Sequence, residues 1–114
     1  MRMIILAASF AALSVSIAHA DDVMASRYGN TTIVTDMKGV GTKLYYKADG
    51  TLTAKESGKT YAGTWKVDSG QVCLHFTPAV PDMQEPFCRP VAAHKVGDKW
   101  QSGDRMVKLV AGVQ

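Results

Sequence analysis

The sequence predicts an all-β domain, either a small antiparallel up-and-down barrel or a two-layer sandwich of about seven to eight short strands. Two features of the chain indicate this fold class. From Asn30 onward, runs rich in β-branched and aromatic residues alternate with turn residues at spacings of about 8–12 positions. After the first 20 residues no apolar helical period lasts longer than two turns, and a helical turn is expected only at 22–27.

Turn residues separate the predicted strands. Asp49-Gly50 is typical of a two-residue hairpin turn with positive φ, and further glycine-containing turns close the later hairpins. Because tight turns join neighbours along the chain, those neighbours pair, and a barrel is favoured because closure removes exposed sheet edges. The predicted strands are Thr31–Asp36, Thr42–Lys47, Thr51–Glu56, Thr60–Val67, Gln71–Thr77, Phe87–Val96, Lys99–Gln101 and Arg105–Val110.

Alternating apolar residues along these strands predict which side chains face the core. Gly63 falls among them, where a strand glycine lets the sheet bend or makes room for a facing ring. By the same alternation Cys73 and His75 point to the opposite, outer face. The predicted core comprises Leu44, Tyr46, Leu52, Ala54, Tyr61, Gly63, Trp65, Val67, Val72, Leu74, Phe76, Phe87, Val91, Trp100, Val107 and Leu109.

The first 20 residues have the pattern of a secretory signal peptide. Arg2 precedes an apolar run over residues 3–17, and the small residues of Ala18-His19-Ala20 suit signal-peptidase cleavage. The run is short for a membrane span and contains three serines. We therefore expect an exported protein, periplasmic or secreted, without a membrane anchor after cleavage. The predicted organisation is a signal peptide over 1–20, a lead segment over 21–29 and a single β domain over 30–114.

The chain contains two cysteines, Cys73 and Cys88. In an exported domain of this size, an even number of cysteines predicts a disulfide between them. Their spacing does not match Cys-x-x-Cys, and no second pair of ligands accompanies them in the sequence. Both facts disfavour the alternatives, which are a redox pair and a metal thiolate site.

Composition and charge argue against several classes of function. The 13 basic and 10 acidic residues give a net charge of +3, and scattered lysines without clustered aromatics give no reason to expect nucleic-acid binding. His75 and His94 are isolated, so the spacing of a metal site is missing and no cofactor is expected. Most carboxylates stand at turns and no nucleophile motif occurs, so the sequence predicts no catalytic residues and no enzyme activity.

The loop Thr77–Pro86 is the least regular stretch of the predicted domain. It contains three of the four prolines of the chain, and Cys73 and Cys88 lie just outside its ends. Prolines stiffen such a loop and keep it out of strand pairing, which is typical of a contact surface. The alternative is a plain connection that the disulfide stabilises. The candidate contact residues are Val80, Asp82, Met83 and Glu85.

Short motifs resemble those of small exported proteobacterial β-meander proteins of unknown function, over most of residues 29–110. These motifs are Asp49-Gly50-Thr51, Gly63-Thr64-Trp65-Lys66-Val67, Val72-Cys73 and Phe87-Cys88. A more distant likeness is to periplasmic metalloprotease inhibitors of the small β-barrel type, which share the Gly-x-Trp strand, one disulfide and a late hairpin with a tryptophan, here Trp100. Those inhibitors insert a short N-terminus that directly precedes the barrel. This chain has two or three extra strands before Gly63, so the inhibitory residues are not transferred to it.

The predicted function is that of an exported, non-catalytic binding module. It is expected to be a monomer that recognises an unknown protein or envelope component through the loop and one open end of the barrel. The alternatives are a lipocalin-like carrier of a small apolar ligand, a protease inhibitor, or an envelope structural protein without a specific ligand. A carrier needs an empty interior, whereas inward-pointing aromatic residues are expected to fill this one. Those residues are Tyr46, Tyr61, Trp65 and Phe76.

Overall fold

The computed structural model describes residues 22–81 and 83–114, which form one antiparallel sheet. Its strands are β1 Thr31–Thr35, β2 Gly41–Tyr46, β3 Thr51–Glu56, β4 Lys59–Asp68, β5 Gln71–Phe76, β6 Phe87–Pro90, β7 Lys99–Ser102 and β8 Arg105–Val110. A 3₁₀ turn at Ala25–Arg27 precedes them, where the sequence predicts a helical turn. The predicted signal peptide over 1–20 lies outside the described residues. Within the described ranges, no helix has the length and apolar character needed to cross a membrane.

The order of strands in the sheet makes a barrel rather than a sandwich. β1 to β6 form a meander, and β8 returns to pair with β1, where Thr32 lies opposite Leu109. β6 and β7 stand at the two edges of the sheet. The sheet curls until both edges border one internal cavity, which Phe87 of β6 and Trp100 of β7 both line. The result is a nearly closed barrel with a seam between β6 and β7.

Most strands begin and end within one residue of their predicted bounds, but β6 is much shorter than the predicted strand over 87–96. Pro90 has no N–H to donate to a neighbouring strand, and the chain leaves the sheet after it. Residues 91–98 then cross the end of the barrel that holds the 3₁₀ turn. The guanidinium group of Arg27 joins the two segments by donating a hydrogen bond to the Ala92 carbonyl oxygen at 3.2 Å.

Alternation along the strands builds the core as predicted at most positions. The buried strand residues are Leu44, Tyr46, Leu52, Ala54, Leu74, Phe76, Val107 and Leu109. Five further predicted residues pack half-buried against them: Tyr61, Trp65, Val72, Phe87 and Val91. The prediction is wrong for Val67, which is 42% exposed. β3 pairs with β4 only as far as Thr64, so Val67 extends past that neighbour toward the β4–β5 turn.

Two core residues come from segments outside the sheet. Met24 directly precedes the 3₁₀ turn and is almost completely buried. Tyr28 follows the same turn and contacts Trp65, with ring centres 6.0 Å apart. Val80, in the loop between β5 and β6 at the opposite end, is equally buried and belongs to the same apolar cluster. Strand alternation predicts neither Met24 nor Val80, because neither lies in a strand.

Candidate functional site

One end of the barrel opens into a cavity of about 600 Å³, which we call the outer cavity. The β1–β2, β3–β4 and β7–β8 turns form its rim together with the loop Thr77–Pro86. Below the rim, the apolar wall comes from inward-facing strand residues, chiefly Val34, Leu44, Leu74 and Phe87. The volume falls within the roughly 300–1,000 Å³ of small-molecule sites in proteins.

A second space of about 60 Å³, the inner cavity, lies beside the seam between β6 and β7. Val34, Leu44, Leu74, Phe87 and Arg105 line both cavities, so the two spaces are neighbours. The inner cavity has room for a few water molecules or one small polar group. Among the described residues, β4 contributes none to either lining, so the open space lies on the side of the barrel away from β4.

Strand alternation places two arginines inside the barrel. On β6, Phe87 lies opposite the buried Leu74 and therefore faces inward. Arg89 follows two positions later and faces the same way. On β8, Arg105 shares the inward face with the buried Val107. Both arginines line the inner cavity.

These two arginines share an aromatic neighbour. The guanidinium carbons of Arg89 and Arg105 lie 4.6 and 5.1 Å from the centre of the Phe87 ring. Such stacking stabilises a guanidinium group without neutralising its charge. The Nε atom of Arg89 is buried and has no hydrogen-bond partner among the described residues, and the same is true of Thr32 Oγ1. Thr32 also lines the inner cavity, so two residues with unpaired buried polar atoms border one small space.

Arg27 brings a third guanidinium group to the inner cavity, from the 3₁₀ turn. The residue is 5% exposed, and its two terminal nitrogens donate to the Val23 and Ala92 carbonyl oxygens at 2.9 and 3.2 Å. The guanidinium carbon lies 5.6 Å from the centre of the Trp100 ring. Burial lowers the pKa of Arg27, but the guanidinium group remains protonated at neutral pH.

The three arginines of the site form no ion pair with the described carboxylates. Within residues 22–81 and 83–114, no carboxylate oxygen lies within 4.0 Å of a guanidinium nitrogen of the three arginines. The acidic residues that line the outer cavity, and not the inner one, are Asp36, Glu56 and Asp104. Lys38 and Arg105 also line the outer cavity, so the described residues place both signs of charge there, whereas the charged residues of the inner cavity are the three arginines.

Two of the four predicted contact residues of the loop are directed toward the barrel. Val80 is 2% exposed and packs in the core. It is therefore not on the surface, where a contact residue was expected. Met83 is half-buried and lines the outer cavity. Asp82 lies outside the described residues. The loop therefore serves as part of the cavity wall.

Two contacts hold the base of this loop. Cys73 and Cys88 lie directly opposite one another on the outer faces of β5 and β6, where the predicted disulfide joins them. The carboxylate of Glu85, the fourth predicted contact residue, pairs with the His75 ring and accepts a hydrogen bond from the Phe76 backbone N–H at 3.2 Å. The disulfide fits an oxidising location outside the cytoplasm.

The second isolated histidine, His94, lies near the other end of the barrel. Its ring stacks on that of Trp100, with centres 3.5 Å apart and planes at 4°. Its Nδ1 lies 3.4 Å from a carboxylate oxygen of Asp98. Each histidine thus has a carboxylate neighbour of its own, and the described part of the chain groups no three metal-ligating side chains together.

The barrel interior is filled on one side and open on the other. Tyr46 and Phe76 are buried, as expected of residues that fill a barrel, whereas Tyr61 and Trp65 are only half-buried. Burial raises the pKa of Tyr46 to about 12, and the Arg27 guanidinium group opposes this shift. The expectation of a filled interior therefore holds only in part, because open space remains beside Tyr46 in the inner cavity.

Sequence reasoning did not single out the three arginines of the inner cavity. A signal was present for two of them. Arg89 follows Phe87 by two positions and Arg105 precedes Val107 by two, which is the spacing of residues on one face of a strand. Arg27 lies outside the strands, so alternation could not place it.

Comparisons of this chain with protein-family models, curated proteins and solved structures found no match. The resemblances to exported β-meander proteins and to metalloprotease-inhibitor barrels therefore stay predictions.

Proposed function

We propose that this chain is an exported, non-catalytic binding protein, a monomer that holds a small ligand with an apolar part inside its barrel. The outer cavity carries the proposal, because it is about 600 Å³ in volume, opens at one end and has an apolar wall of inward-facing strand residues. This is the carrier alternative that the sequence leaves open. The space in the interior favours it over a module that binds only through its surface.

The composition of the lining supports a ligand with a substantial apolar part. Val34, Leu44 and Leu74 form the wall, and two methionines, Met37 and Met83, stand at the rim. Met37 is 80% exposed, which leaves a large apolar side chain beside the opening. Methionine side chains are unbranched and adapt to ligands of different shape. The rim can therefore close around the emerging end of a ligand.

The contacts of the loop Thr77–Pro86 favour this function over recognition of a protein partner by the loop itself. Val80 is part of the core, and Glu85 is held by the His75 ring and the Phe76 N–H. Met83 lines the outer cavity. Three of the four side chains expected to contact a partner thus make contacts within the barrel or line its cavity.

Export is part of the same proposal. The signal-peptide pattern over residues 1–20 and the Cys73–Cys88 disulfide support it, because disulfides persist in the periplasm and outside the cell. N-terminal sequencing of the protein recovered from the cell envelope or medium is expected to begin at Asp21. Recovery of the protein in the cytoplasm with residues 1–20 attached would contradict export by cleavage.

Binding of N-phenyl-1-naphthylamine, a neutral apolar dye that fluoresces when removed from water, tests the proposed function. We expect saturable fluorescence with the purified protein. Val40→Glu places a carboxylate in the lining of the outer cavity and should weaken dye binding about tenfold or more. The matched control is Val96→Glu, at a valine of similar exposure (45% against 40%) outside both linings, and it should bind the dye normally. Lack of saturable binding, or equal effects of the two substitutions, would overturn the proposal.

A further inference from the structure

We infer that the ligand is an amphiphile with an oxyanion headgroup, bound by Arg89 and Arg105 in the inner cavity, and that its apolar tail occupies the outer cavity. The inference rests on the proposed function and gives the chemical class of the ligand. Four properties of the inner cavity support it: its charge, its unpaired hydrogen-bonding groups, the fixed position of its arginine side chains and its volume.

The inner cavity holds positive charge that the described residues do not balance. Arg27, Arg89 and Arg105 all line it, and within the described ranges none has a carboxylate partner. Arg27 is buried and Arg89 and Arg105 are half-buried, and removing a charge even partly from water is costly unless an opposite charge or polar groups replace the water. An anionic headgroup between the guanidinium groups would supply that partner.

Hydrogen bonding at the inner cavity is also incomplete. The Arg89 Nε–H is a buried donor without a partner among the described residues, and the Thr32 hydroxyl is buried and unpaired as well. Buried donors of this kind are normally satisfied. A carboxylate or phosphate group offers two or more acceptor oxygens, which match the planar donor fork of a guanidinium group. The unpaired atoms thus indicate an oxyanion rather than a cation or an apolar group.

The arginines are held in place before any ligand binds. Phe87 stacks with the guanidinium groups of both Arg89 and Arg105, and Arg89 is confined on another side by the β7–β8 turn. A Cβ atom at Gly103 in that turn would lie 3.6 Å from the Arg89 guanidinium carbon. Side chains that are already ordered bind a ligand without a further loss of rotamer entropy.

Volume and rim charge assign the two ends of the ligand. The inner cavity, at about 60 Å³, accommodates a headgroup but not a long tail, whereas the adjoining outer cavity has about ten times the volume. Three carboxylates, Asp36, Glu56 and Asp104, line the outer cavity with one lysine, Lys38, so carboxylates outnumber ammonium groups at the opening and disfavour an anion placed there. The headgroup is therefore innermost and the tail extends toward the rim. A cationic amphiphile would bind in the opposite direction.

Displacement of N-phenyl-1-naphthylamine by compounds with the same ten-carbon tail tests the inference on the native protein. The compounds are decanoate, decyl phosphate, decan-1-ol and decyltrimethylammonium. We expect decanoate or decyl phosphate to displace the dye at a concentration about tenfold or more below that of decan-1-ol. Either anion supports the oxyanion, and the one that acts at the lower concentration identifies the headgroup as carboxylate or phosphate.

Substitution of the arginines assigns the effect to the inner cavity. Arg89→Gln and Arg105→Gln remove the charge but keep a polar side chain, and each should reduce the preference for the anion over decan-1-ol, measured as the ratio of the two displacing concentrations, to nearly none. Lys108→Gln removes a cation from the exposed face of β8 and should leave the preference unchanged. Thermal unfolding shows whether each variant folds. If Arg89→Gln does not fold, Arg105→Gln and the comparison of ligands on the native protein still test whether the inner cavity binds an oxyanion.

The outcomes separate the inference from the proposed function. If the dye binds and decan-1-ol displaces it as well as the anions do, the oxyanion inference fails and the proposed function stands. Preferential displacement by decyltrimethylammonium would likewise overturn the oxyanion and leave the proposed function in place. If the dye does not bind at all, the proposed function fails and the inference fails with it.

Discussion

The guanidinium carbon of Arg89 lies 4.6 Å from the centre of the Phe87 ring, two positions earlier on the same inward face of β6. Arg105 of β8 reaches the same ring from the other side of the seam, at 5.1 Å. β6 and β8 are not neighbours in the backbone ladder, so the contact of Arg105 with Phe87 joins two strands that the ladder leaves apart, whereas Arg89 and Phe87 belong to the same strand. Arg105 and Phe87 therefore bridge the seam of the barrel, and the inner cavity lies beside them.

If Arg89 serves a ligand rather than the fold, its removal should not weaken the unliganded protein. We expect Arg89→Leu to raise the free energy of unfolding by about 1 kcal/mol in urea titrations, because it removes a partly buried charge that has no carboxylate partner among residues 22–81 and 83–114. Lys108→Leu, at an exposed position, should change it by less than about 0.5 kcal/mol. A loss of more than about 1 kcal/mol for Arg89→Leu would show that the side chain is structural.

Gly63 should be intolerant of any side chain. A Cβ atom at this position would clash with the His75 carbonyl oxygen and lie 2.7 Å from Cδ1 of the Phe76 ring. We expect Gly63→Ala to cost about 2 kcal/mol of unfolding free energy, because a well-packed core has no room to yield. Gly41→Ala is the matched control, since Gly41 also lies in a strand and a Cβ there meets nothing within 4 Å. Equal stability of the two variants would contradict the observed packing of β4 against β5.

Tyr46 should make the protein sensitive to alkali. Burial raises its pKa to about 12 from the usual 10.0, so between pH 10 and pH 12 the unfolded chain loses a proton that the folded chain retains. The contribution of Tyr46 to stability is therefore complete below pH 10 and falls by about 1.4 kcal/mol for each pH unit between pH 10 and pH 12. Urea titrations at several alkaline pH values should show a smaller loss for Tyr46→Phe. Tyr45→Phe, on the outer face of β2, should retain the native loss, and equal slopes for all three proteins would contradict the prediction.

Val80 tests whether the loop Thr77–Pro86 is part of the barrel. Because Val80 is almost fully buried, Val80→Ala should lower the free energy of unfolding by about 2 kcal/mol. Val96→Ala, in another connection but 45% exposed, should change it by less than about 0.5 kcal/mol. If the two substitutions have the same small effect, the loop does not pack on the core in solution.

Strand positions could be predicted from the sequence because two local signals agree there. Asp49 and Gly50 do mark the hairpin between β2 and β3, although only Gly50 has a positive φ and the turn closes at Lys47 and Thr51, so it is longer than the predicted two-residue turn. The alternation of Leu44 with Tyr46 and of Leu52 with Ala54 fixes the buried face on either side. Local signals fail where the burial of a residue depends on how far the neighbouring strand extends. Val67 fits the alternation, yet it is exposed because β3 does not extend far enough to cover it.

The site was harder to predict because its parts come from distant positions. Arg27, Arg89 and Arg105 come together only when the fold brings the 3₁₀ turn, β6 and β8 to one seam. No spacing pattern in the sequence predicts that these segments are close. The burial of Val80 likewise depends on the path of a loop without periodicity. Alternation does show that Arg89 and Arg105 face inward, and a charged residue on an inward face is a signal that sequence reasoning can use.

Intermolecular nuclear Overhauser effects between bound N-phenyl-1-naphthylamine and the methyl groups of the protein test the central claim most directly, because they report where the ligand lies. A ligand inside the barrel should give contacts to Val34, Leu44 and Leu74, which line the outer cavity. Contacts confined to the exposed methyl groups of Val67, Val96 and Val113 would place the dye on the outer surface and contradict an interior binding site.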